Sequence, residues 1–285
     1  MSIPITFRLR SVCAIAATAL HLATLTAARA DEEGAPSTAY ATDVRRPAGN
    51  WDVTLGLVVL DGEKFPGSSK HQLHIYPLGE ILFKDRLFFK GDSIPGATIR
   101  GLGAYLFKDE HWGVTASIAP DFTERRQQDD VRLRGLGNVA ITMRGALAAS
   151  YSRDWWRITA GITQDLSNRK KEGVKGGLDF AATYHATDRI TLDAGPGVTF
   201  ANGQNTRAFF GVTPLQSARS GYAVYTPKGG PQSVRFSIGM NYRLGGGWFT
   251  GAFVSESKLL GDAANSPFVE KKQELSVGTY IGHHF

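Results

Sequence analysis

Histidine and serine side chains are the groups of this chain that could do nucleophilic or acid–base chemistry. A hydrolase of that kind needs a serine and a histidine within hydrogen-bonding reach, with a polar group that orients the histidine. The sequence offers His74 and His185 among many serines, but no recognisable nucleophile signature. We therefore predict that the chain has no catalytic residue and is not an enzyme, with a lipid hydrolase as the remote alternative.

Two histidine pairs could suggest a metal site, His71 with His74 and His283 with His284. Both pairs lie in segments with a two-residue period, where residues at odd separations point to opposite faces of a strand. The two rings of each pair diverge and cannot easily share one ion. We predict no metal and no cofactor.

Charged side chains recur on the polar face of these alternating segments. Such a position is normal on a solvated sheet or in an aqueous lumen. If the cations are only partly matched by carboxylates, a narrow and mildly anion-preferring channel results. If the charges pair across the lumen they fill it, because unpaired buried charge is costly. We favour a filled or narrow lumen, and the lumen-facing candidates are Asp52, Glu80, Arg144, Arg157, Lys175, Asp179, Arg189, Asp193, Arg235 and Arg243.

The elements that must position these charges are strands. Apolar and polar residues alternate between turn residues from Trp51 to Phe285, which predicts strands rather than helices. The predicted strands cover residues 51–59, 72–83, 86–90, 97–107, 112–118, 138–150, 156–163, 175–185, 188–200, 234–243, 248–258 and 273–285.

Strand length and aromatic placement favour a membrane barrel over a water-soluble sandwich. Many of the segments reach about 10 residues, which is long enough for a tilted strand to cross a bilayer. Their apolar faces are edged by Trp51, Trp112, Tyr151, Trp156, Tyr184, Tyr242 and Trp248, which resembles the aromatic girdles at the two membrane interfaces. We predict an all-β transmembrane antiparallel β-barrel of about 12 strands, with 10 or 14 as alternatives.

The last strand and the loop lengths predict the orientation of the barrel. The terminal Phe285 resembles the membrane-insertion signal that barrel-assembly machinery recognises. A last strand that ends in the periplasm makes residues 244–247 a tight periplasmic turn and residues 201–233 one long extracellular connection.

The first 30 residues resemble a cleaved secretory signal. Arg8 and Arg10 form its basic start, residues 12–27 carry no charge, and residues 28–30 are a small-residue cleavage site that includes Arg29. The only cysteine, Cys13, lies inside this segment. Residues 31–50 read as a flexible periplasmic leader and residues 51–285 as the barrel.

The charge of the remaining chain does not indicate nucleic-acid binding. Without the three arginines of the signal, 29 of the 32 Lys and Arg remain against 26 Asp and Glu. The sequence shows no basic stripe of the kind expected in a nucleic-acid-binding protein.

Two blocks stand out in the long outer segments, one from Phe209 to Tyr225 and one from Leu259 to Val269. Both blocks closely resemble the MipA/OmpV family of outer-membrane proteins. We expect Phe209, Phe210 and Phe268 to pack together or against the barrel mouth, because they are apolar for solvent-facing loops. The motif residues singled out are Phe209, Phe210, Gly211, Val212, Thr213, Pro214, Leu260, Gly261, Asp262 and Pro267.

The resemblance implies a non-enzymatic barrel in the bacterial outer membrane, in contact with its lipids. Some members of the family are scaffolds that link a lytic murein transglycosylase to a murein synthase, and others resemble small porins or surface adhesins. We expect the scaffold role first, with binding through the periplasmic turns and the leader. A small-solute channel or an adhesin is the alternative, and an outer-membrane lipid hydrolase is the remote one.

Overall fold

The computed structural model describes residues 50–91, 100–123, 125–167 and 172–285. The predicted signal, nearly all of the predicted leader and the first three residues of the predicted strand 97–107 lie outside the described residues.

Twelve antiparallel strands close into one barrel, in which each strand pairs with its sequence neighbours and β1 pairs with β12. The predicted fold class and strand number are confirmed. The strands are β1 Trp51–Glu63, β2 His71–Phe83, β3 Leu87–Lys90, β4 Gly101–Lys108, β5 Trp112–Asp121, β6 Thr142–Arg153, β7 Trp156–Asp165, β8 Val174–His185, β9 Ile190–Ala201, β10 Gly230–Gly245, β11 Trp248–Leu259 and β12 Gln273–His284.

The two-residue period sorts side chains between the outer wall and the lumen. In β12, Val277 and Ile281 face outward and are exposed, while Tyr280 faces inward and is buried. Apolar residues on the outside and small, polar or aromatic residues on the inside are the arrangement of a barrel that stands in lipid. The prediction for residues 138–150 was wrong at its start, because Val139 pairs with Arg125 in an isolated bridge and β6 begins at Thr142.

The two rims of the barrel differ in the length of their connections. At one rim, here the turn end, short turns cover residues 84–86, 109–111, 154–155, 186–189 and 246–247. At the other rim, the loop end, longer connections include residues 64–70, 122–141, 202–229 and 260–272. The last of the short turns follows Gly245, and positive φ angles at Gly245, Gly246 and Gly247 explain why glycine occupies all three positions.

All seven predicted girdle aromatics lie at the turn end. Trp112 packs against Tyr151 at 4.9 Å between ring centroids, and Tyr151 packs against Trp156 at 5.6 Å. Trp51, Tyr184, Tyr242 and Trp248 stand near the same rim, at the turn-end portions of their strands. The expectation of girdles at both interfaces was wrong for these residues, because alternation identifies the outward face of a strand but not which rim a residue is near.

Three short helices lie in the loop-end connections: α1 Gly203–Phe210, α2 Pro214–Ser220 and α3 Gly261–Ala264. A single 3-10 turn covers Val131–Leu133. None of the helices in the described ranges is long and apolar enough to cross a membrane.

Candidate functional site

Ion pairs line one part of the lumen wall. Arg235 of β10 pairs with Asp179 of β8, across the intervening β9. Lys90 of β3 pairs with Glu80 of β2 at 2.8 Å between the ammonium nitrogen and a carboxylate oxygen. All four side chains are mostly shielded from water. Because partners of opposite sign are in contact, these charges compensate each other inside the barrel.

A second group of lumen charges is organised around Asp121, a residue that sequence reasoning missed. Its Oδ2 lies 3.4 Å from Lys175 Nζ and 3.7 Å from Arg144 Nε. Arg144 Nε also donates to Thr163 Oγ1 at 3.1 Å. Asp121 is the last residue of β5, and its carboxylate is buried where β6, β7 and β8 approach the loop end. One carboxylate therefore holds two of the predicted lumen cations.

Arg157 lies on the lumen side of β7, near the turn end. Its Nε donates to Ser152 Oγ at 3.2 Å, and the carboxylates of Asp193 and Glu80 attract its guanidinium. Asp193 in turn accepts a 2.6 Å hydrogen bond from Thr183 Oγ1. This polar neighbourhood spans strands from β2 to β9.

Three predicted lumen residues lie close to the turn end. Asp52 Oδ1 is 3.5 Å from His284 Nδ1, and Arg243 donates to the carbonyl oxygen of Asp188 in the β8–β9 turn. Arg189 is exposed in that turn rather than on a lumen wall. The turn extends through Arg189 because Thr187 Oγ1 accepts from the backbone N–H groups of Arg189 and Ile190, at 3.2 and 3.0 Å.

Another part of the lumen is filled by apolar side chains that the sequence analysis did not predict. Val58, Leu78, Phe249, Phe253 and Tyr280 form one buried cluster from β1, β2, β11 and β12. A signal was present for part of this cluster, since Val58, Leu78 and Tyr280 lie on the strand faces that were predicted to be polar. No face was predicted for the strand that contains Phe249 and Phe253, and only charged residues were proposed to line the lumen.

Glycines opposite the aromatic rings make room for this cluster. Phe249 is the cross-strand partner of Gly282, Phe253 of Gly278, and Tyr280 of Gly251. A Cβ atom added to any of these glycines would overlap the facing ring. Each ring therefore lies flat over the backbone of the neighbouring strand and occupies lumen space, an arrangement known to support glycines in sheets.

The loop-end connections fold into a structure of their own, here the loop cap. Its first core contains Val139, Phe209, Phe210, Leu259, Ala263 and Ala264, and its second contains Phe65, Leu133, Leu136, Val212 and Phe268. Phe209, Phe210 and Phe268 are all buried, as expected for apolar residues that pack within the loops or against the barrel mouth. They do not form one group, because Phe209 and Phe210 lie in the first core and Phe268 lies in the second. Lys175 Nζ lies 5.0 Å from the centroid of the Phe209 ring, so the cap meets the lumen charges at this point.

The first sequence block builds two helices of the cap. Phe209 and Phe210 end α1, and Gly211 follows as its C-cap. Thr213 starts α2 with a capping box in which its side chain and that of Gln216 satisfy each other's backbone N–H groups, with Pro214 at the first helical position. Val212 pairs with Tyr225 in an isolated antiparallel bridge that closes the segment.

Residues of the second sequence block form hydrogen bonds with the connection that contains the first block. Gly261 follows Leu260 with a φ of +50°, and Asp262 Oδ2 accepts from the backbone N–H of Lys228 at 2.7 Å. The carbonyl oxygen of Asp262 accepts from the Tyr225 hydroxyl at 2.8 Å. Pro267 is exposed and directly precedes the fully buried Phe268.

Two buried ionisable side chains of the cap region were also missed. The Arg125 guanidinium lies 4.8 Å from the Phe268 ring centroid and donates to the Phe209 carbonyl oxygen at 2.6 Å. Burial lowers the pKa of Arg125 to about 10. Glu172 accepts from Thr142 Oγ1 at 3.2 Å, and burial raises the pKa of its carboxyl group. Both residues lie in connections without a period, so no local signal predicts their burial.

Gly67 joins the β1–β2 connection to the start of β12. Its N–H donates to Glu63 Oε2 at 2.9 Å and to Glu274 Oε1 at 2.8 Å. Its carbonyl oxygen accepts from the N–H groups of Glu270 and Lys271. A φ of +88° and contact with Val269 leave no room for a side chain at this position.

The terminal Phe285 lies at the turn end. Its side chain is 62% exposed and packs against the His283 ring at 4.4 Å between centroids. Its N–H donates to the Val53 carbonyl oxygen at 2.9 Å, which holds it beside β1. Among the described residues, no group of three or more His, Cys, Asp or Glu side chains could hold a metal ion.

Comparison with known proteins gives one family match. The profile of the family described as "MltA-interacting protein MipA" matches residues 55–285. No curated protein matches the chain.

Solved structures that resemble the chain include outer-membrane channels, and the likeness is low. One, titled "NanC porin structure in rhombohedral crystal form", has 9% identity and a TM-score of 0.41, and covers 80% of this chain and 98% of its own. Another, the Pseudomonas putida toluene transporter TodX, has 11% identity and a TM-score of 0.39, and covers 84% of this chain and 89% of its own.

Proposed function

Because the chain belongs to the MltA-interacting protein MipA family, we propose that it is an outer-membrane scaffold, itself not an enzyme, that binds a murein-hydrolysing lytic transglycosylase. The observation that carries the proposal is the family match, which extends over residues 55–285 and so over nearly the whole barrel. A murein synthase is the second proposed partner, so that synthesis and hydrolysis of the wall are held together.

The interior of the barrel supports a binding role over a transport role. Ion pairs such as Arg235 with Asp179 and the apolar cluster around Phe253 occupy the lumen, and the loop cap packs over one mouth. A filled barrel resists deformation and can present its rims as fixed surfaces. In this proposal the turn end faces the periplasm, because outer-membrane barrels have short periplasmic turns. Phe285 then stands where barrel-assembly machinery recognises a terminal strand.

The turn end offers a surface that suits an enzyme with a basic face. Its described turns contain five Asp and Glu and three Lys and Arg. Glu110 and Asp154 are both exposed there. Together with the leader, residues 31–50, this rim is the part of the chain able to reach a periplasmic partner.

Binding to a purified lytic transglycosylase tests the proposal. We expect the refolded protein to bind the immobilised enzyme, and deletion of residues 31–50 or the pair Glu110→Gln and Asp154→Asn to weaken binding at least tenfold. Arg219→Gln, on the exposed loop end, is the matched control and should bind like the wild type. No binding by a correctly folded wild-type barrel, or equal losses in the control, would reject the scaffold role.

A diffusion channel is the second candidate, and the polar neighbourhood of Arg157 favours it. This guanidinium, with Asp193 and Glu80, could line a path for small solutes. Planar-bilayer conductance of the wild type and of the Arg157→Glu/Arg235→Glu variant separates the two functions. A steady current whose ion selectivity changes in the variant supports the channel, whereas a silent, heat-modifiable barrel supports the scaffold.

A further inference from the structure

Charge is unevenly distributed between the two rims of the barrel. The described residues of the loop-end connections include twelve Lys and Arg against five Asp and Glu, an excess of seven positive charges. The turns of the turn end have three against five, an excess of two negative charges. The long connection 202–229 contributes three cations and no carboxylate. The loop end is therefore a strongly electropositive surface.

Four exposed cations of this surface lie on segments that approach each other two by two. Gly135, next to Arg134, lies against the backbone of Arg219, since a Cβ added to Gly135 would be 2.7 Å from the Arg219 carbonyl carbon. Gly203 of α1 lies against both the Arg207 guanidinium and the backbone N–H of Gly229, the residue after Lys228. We call these the Arg134–Arg219 pair and the Arg207–Lys228 pair, each defined by the approach of its two backbone segments.

Within the described part of the chain, no carboxylate forms an ion pair with any of these four side chains. Other cations of the cap do have partners: Lys70 pairs with Asp130 at 2.6 Å, and Arg132 with Glu270 at 2.5 Å. The Asp262 carboxylate meets Lys228 at its backbone, because it accepts from the N–H of that residue. Exposed cations without counter-charges give this surface a positive potential, which attracts anions.

The position of the aromatic belt points to the kind of anion. Tryptophan and tyrosine anchor membrane proteins at the lipid interface, and all seven residues of the predicted girdles lie at the turn end. The loop-end connections instead carry exposed cations. Arginine forms bidentate hydrogen bonds with phosphate oxygens, and each Lys or Arg near an anionic lipid surface strengthens attachment.

We propose that the loop end binds the phosphate groups of lipid headgroups in the leaflet that surrounds it, through the Arg134–Arg219 and Arg207–Lys228 pairs. The ligand class is a glycolipid or phospholipid with monoester phosphates, which carry more negative charge than a zwitterionic headgroup. The proposal rests on the barrel standing in a membrane and is independent of any periplasmic enzyme.

Binding of diphosphoryl lipid A to the refolded protein in a zwitterionic detergent is the test. We expect the wild type to bind it, and the double variants Arg134→Gln/Arg219→Gln and Arg207→Gln/Lys228→Gln each to bind about 30-fold more weakly, as two lost surface cations predict. Binding should also weaken with added salt. The matched control, Lys84→Gln/Arg86→Gln, removes two cations from the turn end and should leave affinity unchanged.

The comparison ligands decide whether phosphate on a lipid is what is recognised. Lipid A without its phosphates should not bind. Equal binding of that lipid, no binding by the wild type, or an equal loss in the control variant would overturn the proposal. Tighter binding of soluble polyphosphate than of lipid A would also overturn it and assign the surface to a polymer. Heat-modifiability on gels verifies that each variant is a folded barrel, so a loss of binding reports on the surface itself.

Discussion

Replacing Phe268 by alanine is expected to open the loop cap without unfolding the barrel. Phe268 is fully buried in the second core of the cap, and its ring lies against Tyr222 and the Arg125 guanidinium. Truncation of a buried phenylalanine costs about 3 to 5 kcal/mol. The barrel keeps its full ladder of strand pairs, so the loss falls on the cap. The opening equilibrium of the cap should therefore shift by about 140- to 4000-fold.

Hydrogen exchange resolved by residue measures this shift. The bridge amides of Val212 and Tyr225 report on the cap, and the amides of the β11–β12 ladder report on the barrel. Leu215→Ala, on the exposed side of α2, is the control and should change cap exchange by less than about 0.5 kcal/mol. Unchanged exchange in Phe268→Ala, or equal acceleration in the ladder, would refute the idea of a separately folded cap.

Three further predictions concern the lumen and the cap border. Gly278→Ala should lower the free energy of unfolding by about 1 to 3 kcal/mol in urea titrations, because the new methyl group would overlap the Phe253 ring. Asp179→Asn should destabilise the barrel by up to about 3 kcal/mol, because it leaves Arg235 without its counter-charge, and Asp179→Asn/Arg235→Gln should recover part of that loss. The raised pKa of Glu172 favours its protonated form, so its contribution to stability is complete below the ordinary carboxyl pKa and is lost as pH rises through the raised value. Glu172→Gln should remove this pH dependence in hydrogen exchange of the neighbouring Asn205.

Each of these predictions has a control within the chain. An added Cβ at Gly239 would meet its nearest neighbour at 3.7 Å, so Gly239→Ala should be tolerated where Gly278→Ala is not. If the Asp179/Arg235 double variant is no more stable than Asp179→Asn, the two charges do not act as a pair. Asn205 exchange that keeps the wild-type pH profile in Glu172→Gln would assign the titration to another group.

The strands were predictable because their signal is local. Any strand with one face toward lipid shows a two-residue alternation of apolar and polar residues. The alternation allowed twelve strands to be counted and residues such as Arg235 and Asp179 to be placed on the inner face. Their ends were less predictable, since Val139 alternates like a strand residue but is drawn into the cap by Phe209 and Leu259. The strand propensity of a residue does not indicate whether it joins a strand pair of the barrel or the hydrophobic core of the cap.

The loop cap and the charge partners could not be derived in the same way. Phe268 and Phe65 belong to one core although about 200 residues separate them in the chain. No sequence pattern in either segment predicts contact with the other segment. The family resemblance identified which loop residues matter, but only the folded arrangement shows that they form cores. Asp121 was overlooked for a related reason. It is the last residue of β5, where the alternation of apolar and polar residues no longer shows which way a side chain points.

The pairing of β1 with β12 has a consequence for how the molecule assembles. Thr54 is the partner of His284, so closure joins residues 230 positions apart, whereas all other strand pairs are formed by neighbours in sequence. Neighbouring hairpins can zip up early at low entropic cost, but the seam can form only after all twelve strands are present. Until then both edge strands are open to pairing with other chains. The seam is thus the expected rate-limiting step, and the time before it forms is when the chain most needs a chaperone.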